Sequence, residues 1–375
     1  MIVAGETSGE LYGALLAEAL KKKVPQVRVV GIGGERMQAA GVELISGIAS
    51  AFGLAEAASS LRTLKETFRK ASDAFRRYRP SVLVLIDYPD FNLRLAADAR
   101  VLRIPILYYV SPQVWAWRRG RVKKIARLVD RMAVILPFEE AIYRDTGLDA
   151  EFVGHPVLDE IRGMKTGKHA LKAELGLDPG LPLISLLPGS RPHELERLLP
   201  LVLDIVRACK RTSPGHQYCI PFAPNTDLVK HLSSIDMLKA EGVSVNKGAS
   251  LRALAASDYA VIASGTATLQ AALLSVPLIV IYKLFPLTFW LGKRIVRVKW
   301  ASLVNILSDR EVVRELLQKD ATVENVLQEL DKIMHDSAYR DQMLKAYEDV
   351  RKVFAGKHAS DRVADLIIAM AAGKR

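Results

Sequence analysis

A carboxylate stands directly after a mainly apolar run. Residues 81–86 have the composition of a buried strand, and Asp87 follows them, with Asp90 three positions later. A carboxylate at the end of a buried strand is well placed to accept a proton from a substrate hydroxyl. Helix capping is the alternative interpretation, and Asp90 or Asn92 suits that role better than Asp87. The position therefore indicates Asp87 as a candidate general base.

Two later loops have the residue types that bind a diphosphate. Residues 188–191 (PGSR) follow the apolar run Leu183–Leu187, and a glycine turn beside an arginine offers backbone N–H groups and a planar cation. Residues 264–268 (SGTAT) follow Tyr259–Ala263 and open a helix, whose N-terminus is a ready phosphate site. Gln270, one turn further, can reach a ribose hydroxyl. A plain capped helix is the alternative for the second loop, and the arginine of the first loop favours the phosphate interpretation.

Two loops of the N-terminal half are further candidates for substrate contacts. Residues 5–10 (GETSGE) contain two glycines that allow a tight turn, and the helix that follows can hold an anion or a sugar hydroxyl at its start. The spacing is not that of a dinucleotide fingerprint, so a purely structural turn is the alternative. Residues 110–118 place two tryptophans beside a basic helix, where they either contact substrate or pack.

The elements that carry these loops alternate between strand and helix. In the first half the predicted strands are Ile2–Ala4, 27–31, 81–86, Ile106–Tyr109 and 132–136, with helices over 10–23 and 93–102. In the second half they are Leu183–Leu187, 218–221, Tyr259–Ala263 and Leu278–Tyr282, with helices over 194–210 and from Val323 onward. Such alternation predicts parallel sheets covered by helices, with ligands beyond the carboxyl ends of the strands.

The series of strands starts twice, which predicts two domains. The best linker candidate is the polar stretch 162–168. We therefore predict an α/β fold of two doubly wound, Rossmann-like domains, residues 1–160 and 161–344, that face each other across a cleft, with a C-terminal helix over 345–375 that packs back on the first domain. A length of 375 residues agrees with two domains, because a single compact core rarely grows so large.

Composition narrows the class of partner. The formal net charge of +12 favours nucleic acid, anionic lipid or phosphorylated small substrates. The two cysteines, Cys209 and Cys219, have neither metal-ligand spacing nor a disulfide framework, which indicates a reducing compartment. The N-terminus lacks the basic and apolar regions of a signal peptide.

Three segments bear on membrane contact. Residues 259–282 carry no charge and are long enough to span a bilayer, but their polar residues favour a buried strand, loop, helix and strand. Residues 62–79 hold seven Lys or Arg interleaved with Leu64, Phe68 and Phe75, and residues 283–308 combine five Lys or Arg with aromatic residues. This composition suits a lipid headgroup interface, with a solvated charged face as the alternative. Since no nucleic-acid motif accompanies the charge, lipid ranks above nucleic acid.

Several motifs in register resemble one family over nearly the whole chain. They are AGETSGE (4–10), IDYPDFN (86–92), YVSPQVWAW (109–117), LPFE (136–139), VGHP (153–156), LPGSR (187–191), ASGTATL (263–269), PLTFWL (286–291) and Lys293-Arg294. Together they resemble the lipid A disaccharide synthase family. The resemblance implies a GT-B fold, with an acceptor-binding first domain and a second domain that binds the UDP-sugar.

The resemblance also implies a reaction. UDP-2,3-diacylglucosamine and 2,3-diacylglucosamine 1-phosphate would give a β-1,6-linked disaccharide 1-phosphate and UDP, with inversion at the anomeric carbon and without a metal or cofactor. The expected location is the cytoplasm, peripheral on the anionic inner face of the cytoplasmic membrane, with no nucleic-acid partner. A homodimer is an open alternative to a monomer.

By the same resemblance, Asp87, Arg191 and Asn305 match essential residues of the family, and Asp87 would be catalytic. The expected donor-binding residues are Gly189, Ser190, Arg191, Ser264, Gly265, Thr266, Ala267, Thr268, Gln270 and Asn305. The expected acceptor-binding residues are Gly5, Glu6, Ser8, Asp90, Ser111 and Gln113.

The chain departs from the family pattern at two positions. Gln270 stands where many relatives have Glu, and a neutral amide holds ribose hydroxyls more weakly than a carboxylate. Asn305 follows Val304, where relatives often have proline. The nearest alternative functions are other GT-B enzymes, such as a UDP-N-acetylglucosamine 2-epimerase or the muramyl-lipid N-acetylglucosaminyltransferase. A non-catalytic protein that binds lipid or nucleic acid is the alternative from a different class.

Overall fold

The computed structural model describes residues 1–47, 57–117, 119–224, 226–285 and 298–373. The chain divides into two compact units, Met1–Gly163 with Gly356–Arg375, and Met164–Ala355. The C-terminal segment differs from the single helix predicted over residues 345–375. It consists of two helices, Ser337–Val353 in the second unit and Ala359–Ala371 in the first, because Gly356 turns the chain at a φ of +68°.

The first unit has a parallel sheet whose order, among the described residues, is β3-β2-β1-β4-β5-β6-β7. Its strands are β1 (Ile2–Ala4), β2 (Val30–Gly33), β3 (Glu43–Gly47), β4 (Leu83–Ile86), β5 (Ile106–Tyr109), β6 (Arg131–Val134) and β7 (Asp149–Phe152). Its helices are α1 (Thr7–Lys23), α2 (Glu35–Ala39), α3 (Ala57–Tyr78), α4 (Pro89–Val101), α5 (Val114–Trp117), α6 (Val122–Leu128), α7 (Glu139–Tyr143) and α8 (Val157–Gly163).

The second unit repeats this plan, with the order β10-β9-β8-β11-β12-β13 in its described part. Its strands are β8 (Leu183–Leu187), β9 (Gln217–Phe222), β10 (Ser244–Lys247), β11 (Tyr259–Ala263), β12 (Leu278–Tyr282) and β13 (Glu315–Leu317). Its helices are α9 (Lys168–Glu174), α10 (Pro192–Thr212), α11 (Leu232–Ala240), α12 (Ser250–Ala256), α13 (Thr266–Leu273), α14 (Leu303–Ser308), α15 (Val323–His335) and α16 (Ser337–Val353). The last helix of the chain, α17 (Ala359–Ala371), belongs to the first unit.

Both sheets have a topological switch point between two central strands. In the first unit β1 and β4 are neighbours, with Ala4 opposite Ile86. In the second unit β8 and β11 are neighbours, with Leu187 opposite Ile262. Connections leave such a strand pair in opposite directions, which opens a crevice beyond the carboxyl ends where ligands of doubly wound folds bind. The candidate loops after β1 and β4, and after β8 and β11, therefore lie at these two crevices.

The uncharged segment 259–282 is a buried part of the second sheet. It forms β11, α13 and β12, as predicted, and its strands are almost fully buried. Within the described ranges, no helix combines the length and apolar character needed to cross a bilayer.

The apolar residues of the basic stretch 62–79 pack inward. Phe75 is buried, and Leu64 and Phe68 pack against the core of the first unit. The apolar stripe of α3 therefore covers the sheet, and its exposed face carries charged side chains of both signs, five cations with Glu66 and Asp73. The aromatic segment 286–291 and Lys293-Arg294 lie outside the described residues.

Candidate active site

Asp87 and Tyr88 form a strained turn at the carboxyl end of β4. Their φ angles are +48° and +43°, in a region that residues other than glycine rarely adopt. The Asp87 carbonyl accepts hydrogen bonds from the side-chain amide of Asn92, at 2.7 Å, and from the Tyr108 hydroxyl. Such strain persists only where the surroundings enforce it, and it concentrates at functional sites. The turn thus fixes the half-buried Asp87 at the crevice of the first unit.

Gly5 packs directly against this turn. A Cβ atom at Gly5 would lie 2.6 Å from the Cβ and Cγ atoms of Tyr88, so only glycine fits between β1 and the turn. Glu6 and Ser8 follow it and are exposed. The strand register therefore brings the predicted residues of the first loop beside Asp87.

Asp90 is exposed on the first turn of α4 and contacts Arg121. The guanidinium of Arg121 donates to its carboxylate at 2.5 Å. Asn92, the other residue suggested as a cap, is fully buried and donates instead to the carbonyls of Ile86 and Asp87. Its role is to hold the Asp87 turn rather than to cap the helix.

Tyr143 of helix α7 contacts the loop after β5. The hydroxyl of Ser111, which is only 3% exposed, lies 2.7 Å from the Tyr143 hydroxyl and donates to the Pro112 carbonyl. Burial places the Ser111 hydroxyl inside the protein, and its contact with the acceptor stays a prediction. Gln113, two residues later, is exposed.

Glu139 is a buried carboxyl group that the sequence analysis did not single out. One oxygen accepts from the Trp115 indole at 3.1 Å, and the other accepts from the N–H groups of Ile135 and Leu136. Burial raises the pKa of Glu139 to about 7, and the nearby charge of Asp87 adds to this shift. The motif LPFE contains this residue, but its burial could not be read from the sequence.

The loop after β8 is organised by Glu194. Its carboxylate accepts the N–H groups of Ser190, at 3.0 Å, and Arg191, at 3.1 Å. Gly189 has a φ of +101°, and a Cβ atom there would lie 2.2 Å from a Glu194 oxygen. The N–H groups of Ser190 and Arg191 thus donate to Glu194 in this structure, and their binding of a diphosphate stays a prediction. Glu194 thus binds the N–H of the N-cap residue Arg191, as the glutamate of a capping box does, but an arginine side chain has no acceptor for the reciprocal bond.

The cation of this loop faces solvent. The Arg191 side chain is 56% exposed, and one guanidinium nitrogen lies 3.9 Å from a Glu194 oxygen. Tyr282, at the end of β12, donates to the other side of the same carboxylate at 2.9 Å. The loop therefore presents a positioned guanidinium at the crevice of the second unit.

The loop after β11 opens helix α13. Gly265 is exposed, and Thr266, Ala267 and Gln270 are partly exposed. The first N–H groups of a helix have no partner within the helix, and its dipole favours an anion at this end. Thr268 is fully buried, and its hydroxyl donates to the Gly265 carbonyl at 2.8 Å. The Thr268 hydroxyl therefore holds the loop, and its contact with the donor stays a prediction.

Asn305 lies in the interior at helix α14. Its amide donates to the Val313 carbonyl and to the Glu315 carboxylate, both at 2.9 Å, while its oxygen accepts two backbone N–H groups, those of Val312 and Val313. All hydrogen-bonding capacity of the side chain is used inside the protein. The side chain is fully buried, and the role of Asn305 in donor binding stays a prediction.

The chain is similar in sequence to one family of enzymes over its whole length. The family model described as lipid-A-disaccharide synthetase matches residues 1–366. The lipid-A-disaccharide synthase of Myxococcus xanthus (strain DK1622) is 40% identical over 373 residues, which cover 98% of this chain and 96% of that protein. That of Coxiella burnetii (strain CbuG_Q212) is 37% identical over 369 residues, which cover 98% and 97%.

Solved structures with similar folds include sugar-nucleotide enzymes. The UDP-GlcNAc 2-epimerase of Neisseria meningitidis bound to UDP-GlcNAc has a TM-score of 0.66 at 11% identity, covering 94% of this chain and 98% of that one. The S. aureus MnaA–UDP co-structure has a TM-score of 0.70 at 10% identity, covering 100% and 97%. At this identity they show the fold alone. The predicted α/β class with two Rossmann-like, GT-B type sheets is confirmed. On the sequence match, the chain belongs to the lipid-A-disaccharide synthetase family.

Proposed function

We propose that this protein is a hexosyltransferase that makes the lipid A disaccharide. The donor is UDP-2,3-diacylglucosamine, the acceptor is 2,3-diacylglucosamine 1-phosphate, and the products are the β-1,6-linked disaccharide 1-phosphate and UDP. The observation that carries the proposal is the match of the family model to residues 1–366. The epimerase alternative has only the likeness of fold in its favour, at 10–12% identity.

The second unit is proposed to bind the donor. The diphosphate would lie against the guanidinium of Arg191 and the first N–H groups of α13, at Gly265 and Thr266. The support for this role is that both groups follow neighbouring strands at a switch point. A fixed cation and a helix N-terminus stabilise negative charge that develops on departing UDP, and this proposal requires no metal. Gln270 would contact the ribose.

The first unit is proposed to bind the acceptor, with Asp87 as the general base. Its carboxylate would take the proton from the acceptor 6-hydroxyl as the oxygen attacks the anomeric carbon on the face opposite UDP, which inverts the configuration. The strained turn supports this role, because it fixes the backbone from which the Asp87 carboxylate extends at the end of β4. Gly5, Glu6, Ser8, Asp90 and Gln113 form the proposed surroundings of the acceptor.

We also propose that the protein works at the cytoplasmic face of an anionic membrane, where its acylated substrates reside. The supporting observation is the outer face of α3, on which the cations are exposed while the apolar side chains pack on the sheet. Its exposed cations are Lys65, Arg69, Lys70, Arg76 and Arg77. Binding to lipid vesicles of defined charge tests this surface.

A homodimer is also part of the proposal, and sedimentation equilibrium tests it.

The transferase proposal is tested by release of UDP. Purified protein is incubated with UDP-2,3-diacylglucosamine, with and without the acceptor, in EDTA. The expected result is acceptor-dependent release of UDP that EDTA does not reduce. No release from this donor would exclude the proposed reaction, and release abolished by EDTA would exclude the metal-independent mechanism.

Asp87→Asn tests the proposed base. We expect turnover to fall at least about 100-fold, the lower range for loss of general base catalysis, with an unchanged circular dichroism spectrum. Asp98→Asn is the matched control. Asp98 is an exposed carboxylate of the same unit, and it accepts a hydrogen bond from the Ser72 hydroxyl. Near-normal turnover of Asp87→Asn would remove Asp87 from the mechanism.

A further inference from the structure

Glu315 accepts three hydrogen bonds around one turn of the chain. Its oxygens bond to the N–H groups of Ala301 and Ser302, both at 2.8 Å, and to the Asn305 amide at 2.9 Å. Ser302 is fully buried, and its hydroxyl caps α14 by accepting the Asn305 N–H. The carboxylate, at the start of β13, thus fixes the Ala301–Ser302 turn from one side.

The other side of this turn contacts the proposed donor site. The Ser264 hydroxyl donates to the Ala301 carbonyl at 2.7 Å. Ser264 follows β11 directly and precedes Gly265, the N-cap of α13. Glu315 is therefore linked to the start of α13 through the Ala301–Ser302 turn and one hydroxyl.

The chemistry of this cluster requires a carboxylate. Three N–H donors converge on the two oxygens of Glu315, and a carboxylate accepts on both. A glutamine at this position would direct its own N–H groups at one of these donors. The turn would then lose at least one hydrogen bond and shift away from Ser264.

We propose that Glu315 is a positioning residue for the donor, acting through the Ala301–Ser302 turn and Ser264 on the phosphate-binding start of α13. Asn305 is part of the same device, because it holds Glu315 to the backbone of residues 312–313. This inference rests on the proposed donor site. It assigns a role in donor binding to two residues whose side chains do not line that site.

Glu315→Gln is compared with a matched control, Asp258→Asn. Asp258 also accepts three hydrogen bonds, from Lys168, Lys172 and the Leu183 N–H, at 2.6, 3.0 and 2.8 Å. Asp258 lies at the amino ends of β8 and β11, whereas the proposed donor loops lie at the carboxyl ends of the same strands. Both variants replace a carboxylate that accepts three hydrogen bonds, in Asp258 two of them from lysines, but only Glu315 borders the proposed donor loop.

The expected result is a split between the two substrates. For Glu315→Gln the donor KM and the Kd of UDP rise about tenfold, the range for coupling through a chain of contacts, and the acceptor KM stays within twofold. For Asp258→Asn all three values stay within twofold, although unfolding in urea moves to lower concentration. Equal effects of both variants on donor KM would overturn the inference, as would an unchanged donor KM in Glu315→Gln.

A double-mutant cycle tests the route of the effect. Ser264→Ala removes the contact with Ala301, so Glu315→Gln should add less than threefold to the donor KM in that background. A full tenfold effect in both backgrounds would overturn the route through Ser264. Calorimetry with UDP alone separates the two proposals: UDP binding without turnover of the diacylglucosamine donor would contradict the proposed function, while the variants would still test the positioning role.

Discussion

Replacing Glu194 tests how the loop that carries Arg191 is held. The carboxylate accepts two backbone N–H groups of this loop and the hydroxyl of Tyr282, and its side chain is 7% exposed. Glu194→Ala removes all three bonds. Glu194→Gln keeps an oxygen for the two N–H groups and presents its amide to Tyr282, whose oxygen can accept. The two variants separate the hydrogen bonds from the charge.

The magnitudes follow from these contacts. An orphaned buried donor costs about 1–3 kcal/mol, and the lower end applies because Ser190 and Arg191 are exposed to water. With Tyr282 included, Glu194→Ala should lower the free energy of unfolding by about 3 kcal/mol. Glu194→Gln should cost less than about 1 kcal/mol, because its geometry is retained.

The charge of Glu194 should act on ligand affinity instead. Its carboxylate competes with a diphosphate for the exposed guanidinium of Arg191. If the Glu194 carboxylate lies about 7 Å from a bound phosphate in water-like surroundings, their repulsion weakens binding by about 0.6 kcal/mol, or about threefold in affinity. Glu194→Gln should therefore tighten UDP binding about threefold at low salt, with a smaller gain at high salt.

Urea unfolding followed by circular dichroism measures the first effect, and calorimetric titration with UDP measures the second. If Glu194→Ala is as stable as Glu194→Gln, the hydrogen bonds do not hold the loop. If Glu194→Gln binds UDP more weakly than the unchanged protein, the carboxylate helps the ligand and the electrostatic reasoning is refuted.

Two further predictions concern the first unit. Because the pKa of Glu139 is raised from 4.5 to about 7, the folded protein holds this proton more tightly than the unfolded chain, so stability falls as pH rises from about 4.5 to 7, by up to about 3 kcal/mol. Glu139→Gln should lack this decline, and urea unfolding at pH 5 and pH 8 measures it; parallel curves for both proteins would contradict the raised pKa. The double variant Arg69→Ser, Arg76→Ser should bind anionic vesicles about 30-fold more weakly, since each cation contributes about 1 kcal/mol. Arg252→Ser, on the second unit, is the control for vesicle sedimentation, and equal loss in both would argue against the α3 surface.

The central strands and the loops after them could be predicted from the sequence. Runs such as Leu183–Leu187 are fully buried in the structure, and continuous apolar composition is typical of strands covered on both faces. Edge strands were missed, among them β3, β7 and β10. They are half-exposed and contain polar residues, so they lack the signal that identifies a buried strand.

The order of the strands could not be predicted from the sequence. Only the pairing of β1 with β4 brings Gly5 against the Asp87 turn, and only the pairing of β8 with β11 brings Arg191 near α13. These partners are separated by tens of residues. Their adjacency depends on how the helices cover the sheet, which local composition does not encode.

The sequence by itself determined the family, the α/β class and the residue types at the strand ends, because these depend on local pattern and on motifs in register. Only the tertiary structure decided which polar side chains are buried and which are exposed at the strand ends. Ser111, Thr268 and Asn305 have the chemistry of binding residues, yet each is buried with its hydrogen bonds made inside the protein. Whether a polar group meets solvent or satisfies a buried partner depends on packing by distant segments, and a buried polar group must find such a partner.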